Sequence, residues 1–241
     1  MKIAVISDIH GNLEAFSAVL ADIDATHADK IISLGDNIGY GPDPEQVIRL
    51  LTERGIPSVI GNHELAVLDE SRIEHFNPTA RISILKTIAM LSHEAVSLIG
   101  RFPRFLSEGG VRYVHGFPPD SPTIYLFEPT ERRLETVLRS LQEDICLVGH
   151  THLLKVIYFD GHHLTSTVPE KGIFYLRKEG KYIINAGSVG QPRDGDNNAK
   201  YVIFDDAERT IDIRFVPYDI DAVSKKIRAA GLPEFNALRL R

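Results

Sequence analysis

Over the first 65 residues the chain repeats one pattern: a short apolar run, a polar loop, then an amphipathic stretch. Residues 2–6, Lys-Ile-Ala-Val-Ile, read as a buried strand, and Asn12 caps a helix whose Leu13, Phe16, Leu20 and Ile23 recur at near-helical spacing. A second β-branched run, residues 30–34, ends at Gly35-Asp36-Asn37, and Gly39-Tyr40-Gly41-Pro42 lead into a helix carrying Val47, Ile48, Leu50 and Leu51. Residues 57–60 make a third short strand, followed by Gly61-Asn62-His63-Glu64 and another helix. Successive strand, loop and helix units predict a mainly parallel sheet, in which ligands bind beyond the carboxyl ends of the strands.

Residues 65–110 break the alternation and read as a helical insertion. Asn77-Pro78 is an N-cap followed by a proline at the first helical position, Ile84, Leu85, Ile88 and Leu91 form a stripe, and Ser92 caps a second helix. A strand at residues 111–114 ends in His115-Gly116. Thr130 then caps a helix with Leu134, Val137, Leu138 and Leu141 on one face, and the strand at 145–148 ends in Gly149-His150-Thr151-His152. Beyond it come short strands at 153–159, 173–176, 182–184, 201–204 and 211–216, separated by Gly, Asp and Asn turns, which predict antiparallel or mixed pairing. An amphipathic helix after Asp219 stops at Gly231 and Pro233. With no internal repeat or linker, residues 1–241 read as a single domain.

Composition narrows the function classes. The chain is 43% hydrophobic and 25% charged, enough to bury a substantial core. A net charge of −6 supplies no broad cationic field, so extended nucleic-acid or anionic-membrane binding is not expected, and an anionic substrate must find local positive charge. Only five residues separate Lys2 from Asp8, too few for a signal-peptide core, and no apolar run approaches the roughly 20 residues of a spanning helix, so a cytoplasmic protein is expected. Cys146 is the only cysteine, which excludes an internal disulfide and a thiolate-rich metal cage. A bound metal must therefore use imidazole, carboxylate or amide ligands.

Taken singly, an Asp before a helix is ordinarily a cap, and a His at a strand end is ordinarily a hydrogen-bonded surface residue. Here Asp8 and His10, Asp36, Asn62 and His63, His115, and His150 and His152 all fall at strand ends. A parallel sheet brings such loops to one edge, where a shared charged centre explains polar groups that would otherwise be costly to bury.

Asp8-x-His10, Gly35-Asp36, Gly61-Asn62-His63, His115-Gly116 and Gly149-His150-x-His152, in this order, resemble the signature blocks of the calcineurin-like metallophosphoesterases. The similarity continues into the Gly-Ser-Val-Gly-Gln-Pro-Arg-Asp-Gly loop at 187–195, and Gly-Tyr-Gly-Pro at 39–42 resembles the bacterial phosphodiesterase-like branch. The resemblance implies an α/β fold of four layers, α-β-β-α, with two mixed sheets face to face. It also implies one metal held by Asp8, His10, Asp36 and His152, and a second by Asp36, Asn62, His115 and His150, with Asp36 as the bridge. Manganese, iron or zinc all suit such ligands. The implied reaction is attack of a metal-bridging hydroxide on a phosphate ester.

By the same resemblance His63 stands beside the phosphate to stabilise or protonate the leaving oxygen. Relatives usually follow this histidine with Asp, whereas Glu64 stands here, and it is expected to orient the His63 imidazole. Protein phosphatases of the superfamily carry Asp-Arg-Gly after the second block; that arginine is absent, which favours phosphodiesters or nucleotide pyrophosphate links such as dinucleoside polyphosphates. Arg193 is the replacement phosphate contact, against the competing reading of a salt bridge to Asp194 or Asp196. Asn37 and Tyr40 are the other expected substrate contacts. Asn185, Gly187 and Ser188 are expected to shape the wall of the site, and Tyr40 and Tyr125 either stack on a base or pack at the core and rim. The rival functions are a phosphomonoesterase or serine/threonine phosphatase, and, in another class, a non-catalytic interaction scaffold like the retromer subunit, which departs at the position of His63.

Overall fold

The computed structural model describes residues 1–241. In β1 (Lys2–Ile6) every residue after Lys2 is buried. Its side chains alternate between two compartments: Ala4 and Ile6 pack with Phe16, Val19 and Leu20 of α1 (Leu13–Thr26), whereas Ile3 and Val5 face a second sheet. The strand period of two thus feeds two cores at once. Asn12 caps α1 as expected, its side chain accepting from Ala15 N at 3.0 Å. β2 (Lys30–Ser33) runs parallel to β1, and α2 (Pro44–Glu53) follows.

The strand expected at 57–60 is reduced to one parallel bridge, Ser33 to Ser58. The segment leaves the sheet at once because Ile60 N donates to Pro103 O and Gly61 opens α3 (Asn62–Leu68). A 3-10 turn (Glu70–His75) leads to α4 (Pro78–Met90), capped by Asn77, and α5 (His93–Ile99), capped by Ser92. The helical stretch ends there rather than at residue 110, because β3 (Phe105–Glu108) pairs antiparallel with β4 (Val111–Val114). Gly109 and Gly110, at φ 60° and 76°, make the two-residue hairpin turn, a Gly-Gly signal that the sequence reading passed over.

After α6 (Glu131–Ser140) come β5 (Ile145–Val148), β6 (Leu154–Phe159), β7 (Leu164–Thr167), β8 (Gly172–Tyr175), β9 (Lys181–Ala186), β10 (Ala199–Asp205) and β11 (Thr210–Val216). The chain closes with α7 (Ile220–Ala229) and the short α8 (Glu234–Leu238). β7 was not expected: its pattern is one half-buried leucine followed by three exposed residues. The strands form two sheets, β2-β1-β10-β11-β8 and β3-β4-β5-β9-β6-β7. Parallel pairing is confined to β1 with β2, β4 with β5, and β5 with β9, so the mainly parallel sheet expected from the first 65 residues gives way to two mixed ones. The reason lies in the second half of the chain, where the β10–β11 hairpin inserts antiparallel beside β1.

Ile3, Val5, Val202 and Phe204 of one sheet interdigitate with Tyr113, Leu147 and Ile184 of the other. Helices α1, α2 and α5 cover the outer face of the first sheet, and α6 covers the second through Leu134 and Leu138. These are the four layers that the family resemblance implied. No single helix is long and apolar enough to cross a membrane.

Candidate metal centre

The ligand loops are held in strained backbone. Of seven non-glycine residues with positive φ, five are Asp8 (53°), His10 (51°), Asp36 (51°), His150 (68°) and His152 (61°). Left-handed backbone at a non-glycine residue costs on the order of 1 kcal/mol, and it persists only where surrounding bonds enforce it. Here they do: Asp8 N donates to Gly35 O (3.0 Å), His10 N to Asp36 O (2.9 Å), and Gly149 N to His115 O (2.8 Å). His150 N donates to Asp8 Oδ2 (3.0 Å), and Asn185 Nδ2 donates to Gly149 O (2.6 Å) and to Thr151 Oγ1 (2.9 Å). Ser188 Oγ donates to Asp8 O at 2.9 Å, so Asn185 and Ser188 do brace the wall. Gly187, also expected there, sits at φ 77° against Lys200 and Leu154.

Four imidazoles are each fixed by a backbone carbonyl. His10 Nδ1 lies 3.0 Å from Ile38 O, His115 Nδ1 2.8 Å from Leu34 O, His152 Nδ1 2.6 Å from Gln191 O, and His150 Nε2 3.2 Å from Thr123 O. A carbonyl only accepts, so each contacting nitrogen carries the proton, and the other nitrogen of a neutral ring is a bare lone pair. Those second nitrogens face inward and toward one another: His10 Nε2 is 3.1 Å from His152 Nε2, and His115 Nε2 is 3.1 Å from His150 Nδ1.

Carboxylates converge on the same space. Asp8 Oδ1 is buried without a hydrogen bond, 3.2 Å from His152 Nε2. Asp36 Oδ1 accepts from His63 N at 2.9 Å, which leaves Oδ2 between the two halves, 3.2 Å from His115 Nε2 and 3.9 Å from His10 Nε2. Asn62 Oδ1 stands 3.2 Å from His115 Nε2. Lone pairs and an orphaned carboxylate oxygen at such separations need a proton or a cation between them, and the donor set fits two divalent ions on either side of Asp36. The outward N–H bonds fix the tautomers that such ligation needs.

The electrostatics agree. Burial alone would raise the Asp8 and Asp36 carboxyls, but the surrounding histidines hold both well below the usual range. Burial pushes His150 down to about 3 and His152 to about 4, so both are neutral donors. His115 is buried too, yet Asp36 draws it up to about 9: without a cation, a proton on Nε2 takes that place, and metal binding must expel it.

A cleft of about 300 Å³ opens over the centre. Asp36, Asn62, His63, His150 and His152 line it, together with Tyr40, Arg193 and Tyr125. His75, Phe76 and Asn77, from the junction between the 3-10 turn and α4, form another wall. Of these wall residues the sequence reading singled out only Asn77, as the cap of α4; Phe76 carried no reading of its own. His93 begins α5 outside the cleft. Arg193 lines the cleft and makes no salt bridge to Asp194 or Asp196, because both pair with the buried Lys200 at 2.9 and 3.1 Å. Its Nη2 reaches Gln191 Oε1 at 3.3 Å and its Nε is buried without a partner.

Two expectations need correction. Asn37 is fully buried, its side chain bonded to Ser33, Ser58 and Glu64, so it supports the loop and cannot touch a substrate. Glu64 does not orient His63. It occupies the third position of α3, and a capping box turns its side chain back toward the helix start. There Oε2 accepts from Gly61 N and Asp36 N (both 2.9 Å) and Oε1 from Asn37 N (2.7 Å). Glu64 is thus the brace beneath Asp36.

His63 is held by packing instead, edge-on to Tyr40 (4.8 Å), His10 (4.7 Å) and Phe76 (5.1 Å). Its Nδ1 has no partner, and a Cβ on Gly39 would sit 2.3 Å from it.

Burial and Asp36 push the Glu64 carboxyl up to about 7, against backbone N–H groups that favour the anion. Glu64→Gln would aim an amide N–H₂ at those same donors. It should cost about 1–3 kcal/mol, the penalty of an unsatisfied buried polar group, and lower Tm by several degrees in thermal denaturation. An unchanged Tm would remove Glu64 from this role.

Comparison with known proteins accounts for the arrangement. The profile of the calcineurin-like phosphoesterase superfamily domain matches residues 1–209. An uncharacterised protein of Methanocaldococcus jannaschii is 39% identical over 243 residues, covering 99% of this chain and 96% of its own. The crystal structure of a metallophosphoesterase from Sphaerobacter thermophilus superposes with a TM-score of 0.84 at 36% identity, over 100% of this chain and 98% of that one. A local match to serine/threonine-protein phosphatase 2 of Escherichia coli is 40% identical over 66 residues, or 27% of this chain and 30% of that protein. Inward-facing histidine lone pairs, carboxylates at strand ends and a family profile over most of the sequence lead to one conclusion: the chain belongs to the calcineurin-like phosphoesterase superfamily and is a phosphoric ester hydrolase.

Proposed function

We propose that the enzyme is a dimetal phosphodiesterase that hydrolyses phosphodiester or nucleotide pyrophosphate bonds, dinucleoside polyphosphates among them. Asp8, His10, Asp36 and His152 would hold one divalent cation, and Asp36, Asn62, His115 and His150 the other. Such a pair supplies water of lowered pKa and neutralises charge on phosphate oxygens. The observation that carries the reading is the convergence of paired imidazole lone pairs beneath a cleft containing an arginine free of carboxylate partners. Arg193 would grip a phosphate oxygen in the cleft; a guanidinium already tied to Asp194 or Asp196 would serve less well.

His63 lines the cleft with its Nδ1 unpartnered, as a group serving the leaving oxygen would. Burial pushes its imidazole well below the usual range. An anionic phosphate beside it restores proton affinity where the leaving oxygen needs a donor. Phosphodiesters rank above phosphoproteins because Tyr40, packed edge-on against His10 and His63, follows Asp36 where protein phosphatases carry arginine. The local match to a serine/threonine phosphatase keeps phosphopeptides as the comparison substrate.

The test is a substrate panel with manganese, iron and zinc in turn. Bis-p-nitrophenyl phosphate and diadenosine tetraphosphate should turn over faster than phosphopeptides, and the reverse order would overturn the diester reading. Each metal that binds should also stabilise the fold, by about 2.7 kcal/mol per site at a hundredfold excess over Kd, seen as a rise in Tm. Absence of turnover with every metal would favour the scaffold.

A further inference from the structure

A stack of aromatic rings that the hydrolytic chemistry does not require starts in the cleft wall at Tyr125 and runs out beyond the lining to Phe127. The Tyr125 ring lies over the imidazole of His150 with centroids 3.7 Å apart and planes 15° apart. Phe127 continues the stack at 4.9 Å, again at 15°. The same loop grips the metal-ligand candidate by its backbone, since His150 Nε2 bonds Thr123 O at 3.2 Å. The stack is therefore anchored to the centre at its inner end. At its outer end Phe127 is 70% exposed, with one face on Tyr125.

The cleft's other apolar surface points the same way. Its hydrophobic lining is Tyr40, Phe76 and Tyr125, all aromatic, with no aliphatic side chain among them. Such a lining suits a flat ring rather than an acyl chain. Tyr40 and Phe76 meet His63 edge-on at interplanar angles of 61° and 79°, so they close the wall around it. The His150–Tyr125–Phe127 series, with 15° between successive planes, leads outward.

The geometry points to the outer face of Phe127, supported by Tyr125, as a nucleobase-stacking subsite for a nucleotide substrate whose phosphate lies at the dimetal centre. The inference rests on the phosphodiesterase reading and narrows it to nucleotide-linked substrates. Stacking a base on an aromatic side chain changes affinity by roughly tenfold or more and tolerates any base.

The chain contains no tryptophan, so Phe127→Trp places a single, selectively excitable tryptophan at the subsite. In the metal-loaded variant, adenosine monophosphate should quench its emission saturably, while ribose 5-phosphate, which has the sugar and phosphate without the base, should not. Phe127→Ala should lower the ratio of kcat/KM for diadenosine tetraphosphate to that for tripolyphosphate about tenfold, through KM. Equal responses to adenosine monophosphate and ribose 5-phosphate, or an unchanged ratio, would overturn the subsite. Hydrolysis of bis-p-nitrophenyl phosphate without base-specific quenching removes the subsite alone. Base-specific quenching in a protein that hydrolyses nothing upholds the subsite and removes the phosphodiesterase reading.

Discussion

Asp36→Asn is expected to reduce bound divalent metal from two ions per chain to one at most, and to lower bis-p-nitrophenyl phosphate turnover by more than about 100-fold. The magnitude follows from comparison, since groups that merely orient metal ligands already contribute 10–100-fold. Asp36 Oδ2 stands between both halves of the centre, 3.2 Å from His115 Nε2 and 3.9 Å from His10 Nε2. The substitution is conservative for the fold, because an amide oxygen can still accept the 2.9 Å bond from His63 N. What it removes is the charge that holds two cations close together. Metal analysis by plasma mass spectrometry checks it, and a variant that keeps two ions would contradict the bridging role.

His63→Ala should lower kcat by roughly 10²- to 10⁴-fold, the range for loss of a general acid, with metal content unchanged. Metal binding is spared because His63 bonds Asp36 through its backbone N–H, which alanine retains. The signature that separates an acid from a packing residue is leaving-group dependence. Loss should be larger for an alkyl diester, whose alkoxide needs a proton, than for a p-nitrophenyl diester, whose leaving group departs unaided. An equal loss on both would make His63 a positioning residue, consistent with its edge contacts to Tyr40 and Phe76.

The residues that gather at the centre were readable because their backbone context is local. Each sits where an apolar run stops, and the strand-to-loop boundary is written in the change from Val, Ile and Leu to Asp, His and Gly. The caps at Asn12, Asn77, Ser92 and Thr130 were legible for the same reason, as each side chain bonds an amide three residues ahead. Long-range partners were not. Glu64 looked like a neighbour of His63, yet it bonds Asp36 and Asn37, about 27 positions away. Arg193 was read against its chain neighbours Asp194 and Asp196, whereas Lys200, buried in β10, takes both. Phe76 lies 13 positions beyond His63, at the end of a 3-10 turn, with no periodic pattern to mark it as a packing partner.

The opening Val5 to Asn12 stretch shows where the boundary falls. By itself the sequence determined that Asp8 and His10 follow a buried strand, that Asn12 starts a helix, and that the chain carries the ligand types of a hard-to-borderline metal. Only the tertiary structure decided which atom faces which. It turned Asp8 Oδ1 inward while Ser7 and His150 N hold Oδ2, and it set His10 Nε2 against His152 Nε2 across 142 residues of chain. The physical reason is that strand ends and caps depend on bonds within a few residues. The orientation of a carboxylate or an imidazole tautomer depends instead on acceptors such as Ile38 O and Gln191 O, which two packed sheets bring together from distant parts of the chain.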